Sequence, residues 1–250
     1  MYPDKFITFV VRTIEMLNYI LNSRGDFDFI ELLVFLGSMC FVVFCATPLH
    51  EFAHAFVAVK LGDNTPRNQG RLTINPTAHI DPVGAILIFL FGFGYAKPVS
   101  VRMRRFKNPK VGMALVALAG PVCNLIQALI SLLIVNGLMA AMKYMVLSLS
   151  MLEMIKPIGY ICTFFIFAAQ INVNLAVFNL LPVPPLDGSR IATVLLPQKY
   201  YYKVMQYERY IMYALMILLF LNVLDGPLFT LSGYVFSGLN WLAALPFGMA

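Results

Sequence analysis

What this 250-residue chain has least of is charge: 12% of it is Asp, Glu, Lys or Arg, against 60% hydrophobic residues. Soluble domains are about one quarter charged, so this scarcity leaves no room for a soluble catalytic domain and points to a multi-spanning membrane protein. Cysteine is nearly as scarce. Cys40, Cys45, Cys123 and Cys162 stand singly in apolar runs without CxxC spacing, which supports neither a disulfide framework nor a cysteine zinc site and reads as packing. No internal repeat or low-complexity stretch is visible. Residues 1–23 mix Asp4, Arg12 and Glu15 into their apolar residues and lack a small-residue cleavage site, so a cleavable signal peptide is not expected. Acidic residues number 12 against 18 Lys and Arg, a formal net charge of +6. In a soluble protein that excess would suit nucleic acid. Here the basic residues cluster between apolar segments, as in cytoplasmic membrane loops, and no nucleic-acid role is expected.

Histidine is scarcer still, and its placement is informative. Two of the three histidines lie within residues 45–61, CATPLHEFAHAFVAVKL, where His50, Glu51 and His54 form HExxH. At about 3.6 residues per turn, His50 and His54 fall one turn apart on one helical face. Both imidazoles can then reach a single tetrahedral metal, with Glu51 beside them. In zinc peptidases this pattern makes the histidines metal ligands, and the glutamate takes a proton from the attacking water. With three His and five Glu in the chain, a chance HExxH has odds on the order of one in a thousand, so the motif is specific and Zn2+ is the expected cofactor. The motif sits in a nearly continuous apolar run, residues 29–60, longer than the ~20 residues that cross a bilayer. Ionisable groups at membrane depth are costly and mark a functional site by default.

The expected fold is an all-α membrane protein: a multi-spanning helical bundle with a short re-entrant segment and small β-strand elements on the cytoplasmic side. Three parts are expected, an interfacial or amphipathic segment at 1–28, an intramembrane core at 29–224 and a hydrophobic tail at 225–250. Residues 5–21 place Phe6, Val10, Leu17 and Leu21 on about one face, interrupted by Arg12 and Glu15, as suits a helix lying in the interface. The helix carrying HExxH should end at Gly62-Asp63-Asn64-Thr65-Pro66. Residues 67–81 read as an extended strand or hairpin, and 97–101 as a short edge strand.

Between those two stretches, residues 83–95, VGAILIFLFGFGY, are apolar but too short to cross as a helix and hold three glycines, which suggests a re-entrant segment. Lys60, Arg67 and Arg71 before it then share a side with Lys97, Arg102, Arg104, Arg105, Lys107 and Lys110 after it. The basic excess makes that side cytoplasmic. Residues 111–138 read as a span with a kink at Gly120-Pro121, and Asn124, one turn beyond, is available to a neighbouring helix or to substrate. Residues 157–181 span with Gln170, Asn172, Asn174 and Asn179. Four amides are too many to face lipid, so they face the interior and serve packing or a polar substrate. Residues 204–224 read as a further span, and 225–250 as one more span or a folded-back tail.

Two histidines leave a catalytic zinc one protein ligand short. Asp187, at the end of the proline-rich stretch LPVPPLDG at 181–188, is favoured by its position on the HExxH side and because carboxylate is an ordinary third ligand. His79 is the rival, although a lone histidine is more often structural.

At this point the residues resemble a known family. HEFAH at 50–54, AGPVCN at 119–124 and NLAVFNLLPVPPLDG at 174–188, with NPTAHIDPVG at 75–84 and AKPVSV at 96–101, are similar to the site-2 proteases, intramembrane zinc metalloproteases. The likeness covers roughly residues 30–200 and fits the short prokaryotic branch without a PDZ domain. It implies that His50, His54 and Asp187 bind zinc, that Glu51 is the catalytic base, and that Asn174 and Asn179 match amides that hold substrate. It also implies that the strand-like stretches at 67–75 and 97–101 pair with an unwound substrate. Ser189 departs from the second glycine common after the Asp-Gly pair.

The resulting expectation is a multi-pass protein of the cell membrane that hydrolyses a peptide bond in or near a transmembrane segment of a partner protein within the lipid bilayer. The sequence assigns it no oligomeric state. A membrane metal-ion transporter is the alternative, but the polar groups concentrate at one depth without inverted repeats. A non-catalytic helix-binding homologue would be marked by a lost Glu or Asp, and neither is lost here.

Overall fold

The computed structural model describes residues 29–82, 84, 97–145, 155–192, 194, 204, 206–221 and 223–249. Helix α1, Phe29–Phe41, passes through a π-helical turn, Val42–Ala46, into α2, Thr47–Lys60. Two single turns follow, α3 at Thr65–Asn68 and α4 at Pro76–His79. Extended residues and a 3-10 turn at Met103–Arg105 lead to α5, Pro109–Met145, which continues through Pro121. Then come α6, Ile155–Asn179, the short α7, Asp187–Ala192, α8, Glu208–Phe220, and α9, Asp225–Ala244.

Four helical stretches are long and apolar enough to cross a membrane: Phe29–Lys60, Pro109–Lys143, Ile155–Asn179 and Gly226–Phe247. Their outer faces suit lipid. On α5, Val111, Leu115, Leu118, Val122, Ile126 and Ile130 are all exposed at spacings of three and four, an apolar stripe that water would not tolerate.

The inner faces explain the bundle. Ala128 and Leu132 of α5 meet Ala169, Val173 and Val177 of α6 and Ala243 of α9 in one core, where small residues let the backbones approach closely. Phe35, Met39, Val42 and Ala46 pack instead on Phe167 and Ile171 of α6, with Phe35 and Phe167 edge to face at 5.5 Å. Ala58 of α2 packs with Phe106, Met113 and Val116. Thus α1 leans on α6 while α2 leans on α5, and the π turn between them lets one continuous helix serve two partners.

Several expectations need correcting. Among the described residues no strand forms, neither at 67–75 nor at 97–101. Proline at the first helical positions starts turns at Pro66 and Pro76. Polar side chains capture the local backbone: Asp63 accepts from Thr65 N–H, and Asn75 from Thr77 N–H. The N–H groups of Lys97, Val99 and Arg102 likewise go to separate acceptors and not to a ladder: Lys97 to the His79 carbonyl, Val99 to Glu51 and Arg102 to Asp63. Of the span expected at 204–224, residues 205 and 222 lie outside the described residues, and the described helix is α8, whose 13 residues make about 20 Å. The interfacial segment expected at 1–28, and all but Gly84 of the re-entrant segment expected at 83–95, lie outside the described residues.

Candidate metal centre

Helix α2 places His50 and His54 one turn apart, and both are buried. Their Nε2 atoms are 3.0 Å apart. His54 presents Nδ1 to the Val116 carbonyl at 2.7 Å, so Nδ1 carries the proton and Nε2 of the neutral ring is left as a lone pair aimed into the site. Val116 lies on α5, so the helix that packs on α2 also sets its tautomer.

Asp187 arrives from the other end of the chain. After α6 the prolines at 182, 184 and 185 remove backbone donors, and the turn closes with Ser189 N–H on the Leu186 carbonyl at 3.1 Å. Gly188 is required there: a Cβ would stand 2.2 Å from the Leu180 carbonyl oxygen and 2.3 Å from that of Leu181. The turn brings Asp187 Oδ2 to 3.3 Å from His50 Nε2 and 3.2 Å from His54 Nε2.

The three atoms therefore form a nearly equilateral triangle of acceptors, and they are the one group of potential metal donors found among the described residues. A tetrahedral ion with bonds of about 2.0–2.1 Å holds its ligand atoms about 3.3–3.4 Å apart, close to the edges of this triangle. The space facing it is kept open by Gly120 of α5, whose Cβ would fall 2.4 Å from His54 Nε2 and 2.5 Å from His50 Nε2. Two imidazoles and a carboxylate beside an open position are the donor set of a catalytic zinc site.

Glu51, half-buried, accepts a hydrogen bond from Val99 N–H at 3.3 Å, so the irregular stretch 97–101 runs past it. His79 is elsewhere. It is fully buried, its Nε2 donating to the Thr73 carbonyl at 2.8 Å, a structural role that takes it out of the donor cluster. The amides are inside, as expected: Gln170, Asn172 and Asn174 are buried, and Gln170 Nε2 donates to Asn174 Oδ1 at 3.1 Å. Asn179 is only half-buried and donates back to the Leu175 carbonyl of its own helix at 2.9 Å. Asn124 lies one turn beyond Gly120 with neither side-chain atom hydrogen-bonded.

Three contributors escaped the sequence reading. Val116 acts through a backbone carbonyl, for which no side-chain signal exists. Gly120 was read for its proline neighbour, although a glycine inside an apolar span is itself a signal of close approach. Gln127 is not singled out by the sequence reading, yet its amide reaches the Ala46 carbonyl at the π turn, 3.4 Å away.

Comparison with known proteins gives the same direction. Residues 38–221 match the description Peptidase family M50. The chain is 44% identical over 162 residues, 65% of its length and 70% of the relative's, to the "Putative zinc metalloprotease YwhC" of Bacillus subtilis. It is 31% identical over 145 residues to a protein of Mycobacterium tuberculosis with the same designation, Rip2, covering 56% of this chain and 50% of that one. No solved structure matches.

Proposed function

Since this chain belongs to peptidase family M50 and is a membrane metalloprotease, we propose that His50, His54 and Asp187 hold its zinc, that Glu51 is the catalytic base, and that it cuts a partner protein in or near a transmembrane segment. The observation that carries this reading is the triangle of three donors, 3.0–3.3 Å on a side, with Glu51 adjoining it on the same helix. A zinc ion there supplies Lewis acidity, lowering the pKa of water and polarising a peptide carbonyl. Glu51 accepts the proton of the attacking water and can return it to the leaving amine, since its carboxylate is tied only to a backbone N–H at 3.3 Å. Asp187 stays fixed through the turn at Gly188, and His54 through the Val116 carbonyl.

A helical substrate hides its carbonyls, so it must unwind before it is cut. Residues 97–101 are the edge we assign to the unwound chain. Asn124, Asn174 and Asn179 are the substrate-binding amides of this proposal, with Asn124 the one whose donors and acceptor are free. Residues 83–95 are proposed to enter and leave the bilayer from one side. That is supported by the hydrogen bond from Lys97 N–H to the His79 carbonyl at 2.8 Å, which joins the two ends of the excursion. The membrane is proposed to be the cell membrane, with the basic loops in the cytoplasm.

Glu51→Gln should retain one zinc per chain while hydrolysis of a reconstituted membrane substrate disappears, because an amide cannot accept the proton. Substantial residual cleavage would remove Glu51 as the base. For the topology, single cysteines at Asn68 and Asn108, in a chain without the native four, should label from the cytoplasmic side alone. Labelling from opposite sides would make 83–95 a true span.

A further inference from the structure

Asp63 has no solvent exposure, and the zinc chemistry does not use it. A buried carboxylate persists when protein donors replace its water, and here both oxygens have them. Oδ1 accepts from Thr65 N–H at 3.0 Å, from the Thr65 hydroxyl at 2.5 Å and from the Arg105 guanidinium at 3.4 Å. Oδ2 accepts from the backbone N–H of Arg102 at 2.6 Å.

Asp63 is itself fixed to the metal helix. Gly62, at φ 108°, donates to the Val59 carbonyl at 3.1 Å, and Asp63 N–H reaches the Ala58 carbonyl at 2.9 Å. This is the helix ending in which a positive-φ glycine turns the chain back. A short rigid path therefore leads from the helix of His50, Glu51 and His54 through Asp63 to Arg102, three residues from Val99.

Apolar packing also holds this region, since Val101, Met103 and Phe106 lie against Val57, Ala58 and Leu61. Such packing is non-directional and fixes proximity without fixing register. The hydrogen bond to the Arg102 backbone is directional and fixes position along the chain.

We propose that Asp63 is a positioning residue for the protease reaction, latching residues 97–106 to the end of the metal helix so that Val99 stands at the correct distance from Glu51 to hold an unwound substrate chain. The proposal rests on the protease reading, and its test is read in two independent ways. Asp63→Asn keeps the size and one acceptor but turns a donor toward Arg102 N–H. In that variant, zinc content should match the parent's and the thermal midpoint should fall only slightly. Backbone amides of 97–106 should exchange with deuterium about tenfold faster or more, as expected when a local latch opens. Cleavage of a membrane-embedded model substrate should fall about 10- to 100-fold in kcat/KM, the scale of a small misplacement.

A disulfide supplies the rescue: Asp63→Cys with Arg102→Cys, in a chain without native cysteines, should regain slow exchange and cleavage when oxidised and lose both when reduced. Unchanged exchange and cleavage in Asp63→Asn would overturn the proposal. So would loss of zinc and thermal midpoint in step with activity that the oxidised pair does not restore, which would make Asp63 a residue of the fold. Exchange needs no catalysis, so a zinc-loaded parent that cuts nothing would count against the protease reading while exchange still decided the latch.

Discussion

Two acids, Asp63, fully buried, and Asp187, half-buried, have opposite surroundings. Asp63 is ringed by donors: a backbone N–H on each side, a hydroxyl and a guanidinium. Asp187 faces two imidazole nitrogens that are themselves 3.0 Å apart. The first arrangement is complete as it stands and serves geometry. The second brings together three atoms that can each offer a lone pair to one cation. The chemistry of a carboxylate's neighbours, more than its burial, separates a metal ligand from a clasp.

The sharpest way to break this distinction is to remove Asp187 and its sequence rival His79 in turn and count zinc. Asp187→Ala should lower zinc from one per chain to nearly none and abolish cleavage, whereas His79→Ala, whose ring is engaged with Thr73, should keep the metal. Elemental analysis of the purified variants measures both, and the opposite outcome would exchange their roles. A somewhat smaller effect is expected where no donor is touched. Gly120→Ala drives a methyl to within 2.4–2.5 Å of both imidazoles, so zinc occupancy should fall. Gly159→Ala on α6, with nothing within 4 Å of the new Cβ, should leave occupancy intact.

The smallest effect concerns Asp63 and acid. Burial works against its charge, but hydrogen bonds from Thr65 and Arg102 and the Arg105 guanidinium outweigh it and hold the carboxyl below the ordinary carboxylate range. A depressed folded pKa contributes stability that is fully present above the unfolded value of about 3.9 and is lost as pH falls through the folded value. The difference in thermal midpoint between parent and Asp63→Asn should therefore be constant at neutral pH and shrink below about pH 4. A difference independent of pH would show that the ionised form of Asp63 is not what stabilises the fold.

The metal cluster was legible because its chemistry is written in side chains: HExxH fixes its own geometry through helical spacing, and Asp187 stands out as an acid among prolines. Helices α1 to α2, α5 and α6 were legible through their apolar length. The surroundings were harder to read. Residues 67–75 have strand-like polarity, but whether Asn75 and Asp63 capture backbone donors depends on where the chain already is. Val116 and Val99 contribute a carbonyl and an N–H that every residue possesses. Asn179 looked like a partner for substrate, yet it donates to Leu175 in this structure, a local bond that competes with any outward role.

The π turn at Val42–Ala46 makes this enzyme a counter of residues. Upstream, Phe35 and Met39 are committed to α6; downstream, Ala58 is committed to α5. Between two such commitments the number of residues sets which way the histidines face, and a π turn holds one residue more than regular helix would. Deleting one of Val42, Val43, Phe44 or Cys45 would let the turn revert to regular helix with His50 and His54 facing nearly as before, whereas inserting a residue there would rotate them by about 100° relative to the first half of their helix. Substitution by another apolar side chain at the exposed Phe44 would leave them in place. Descendants of this chain are thus free to drift in composition here, and in length only by the one residue that the π turn can shed.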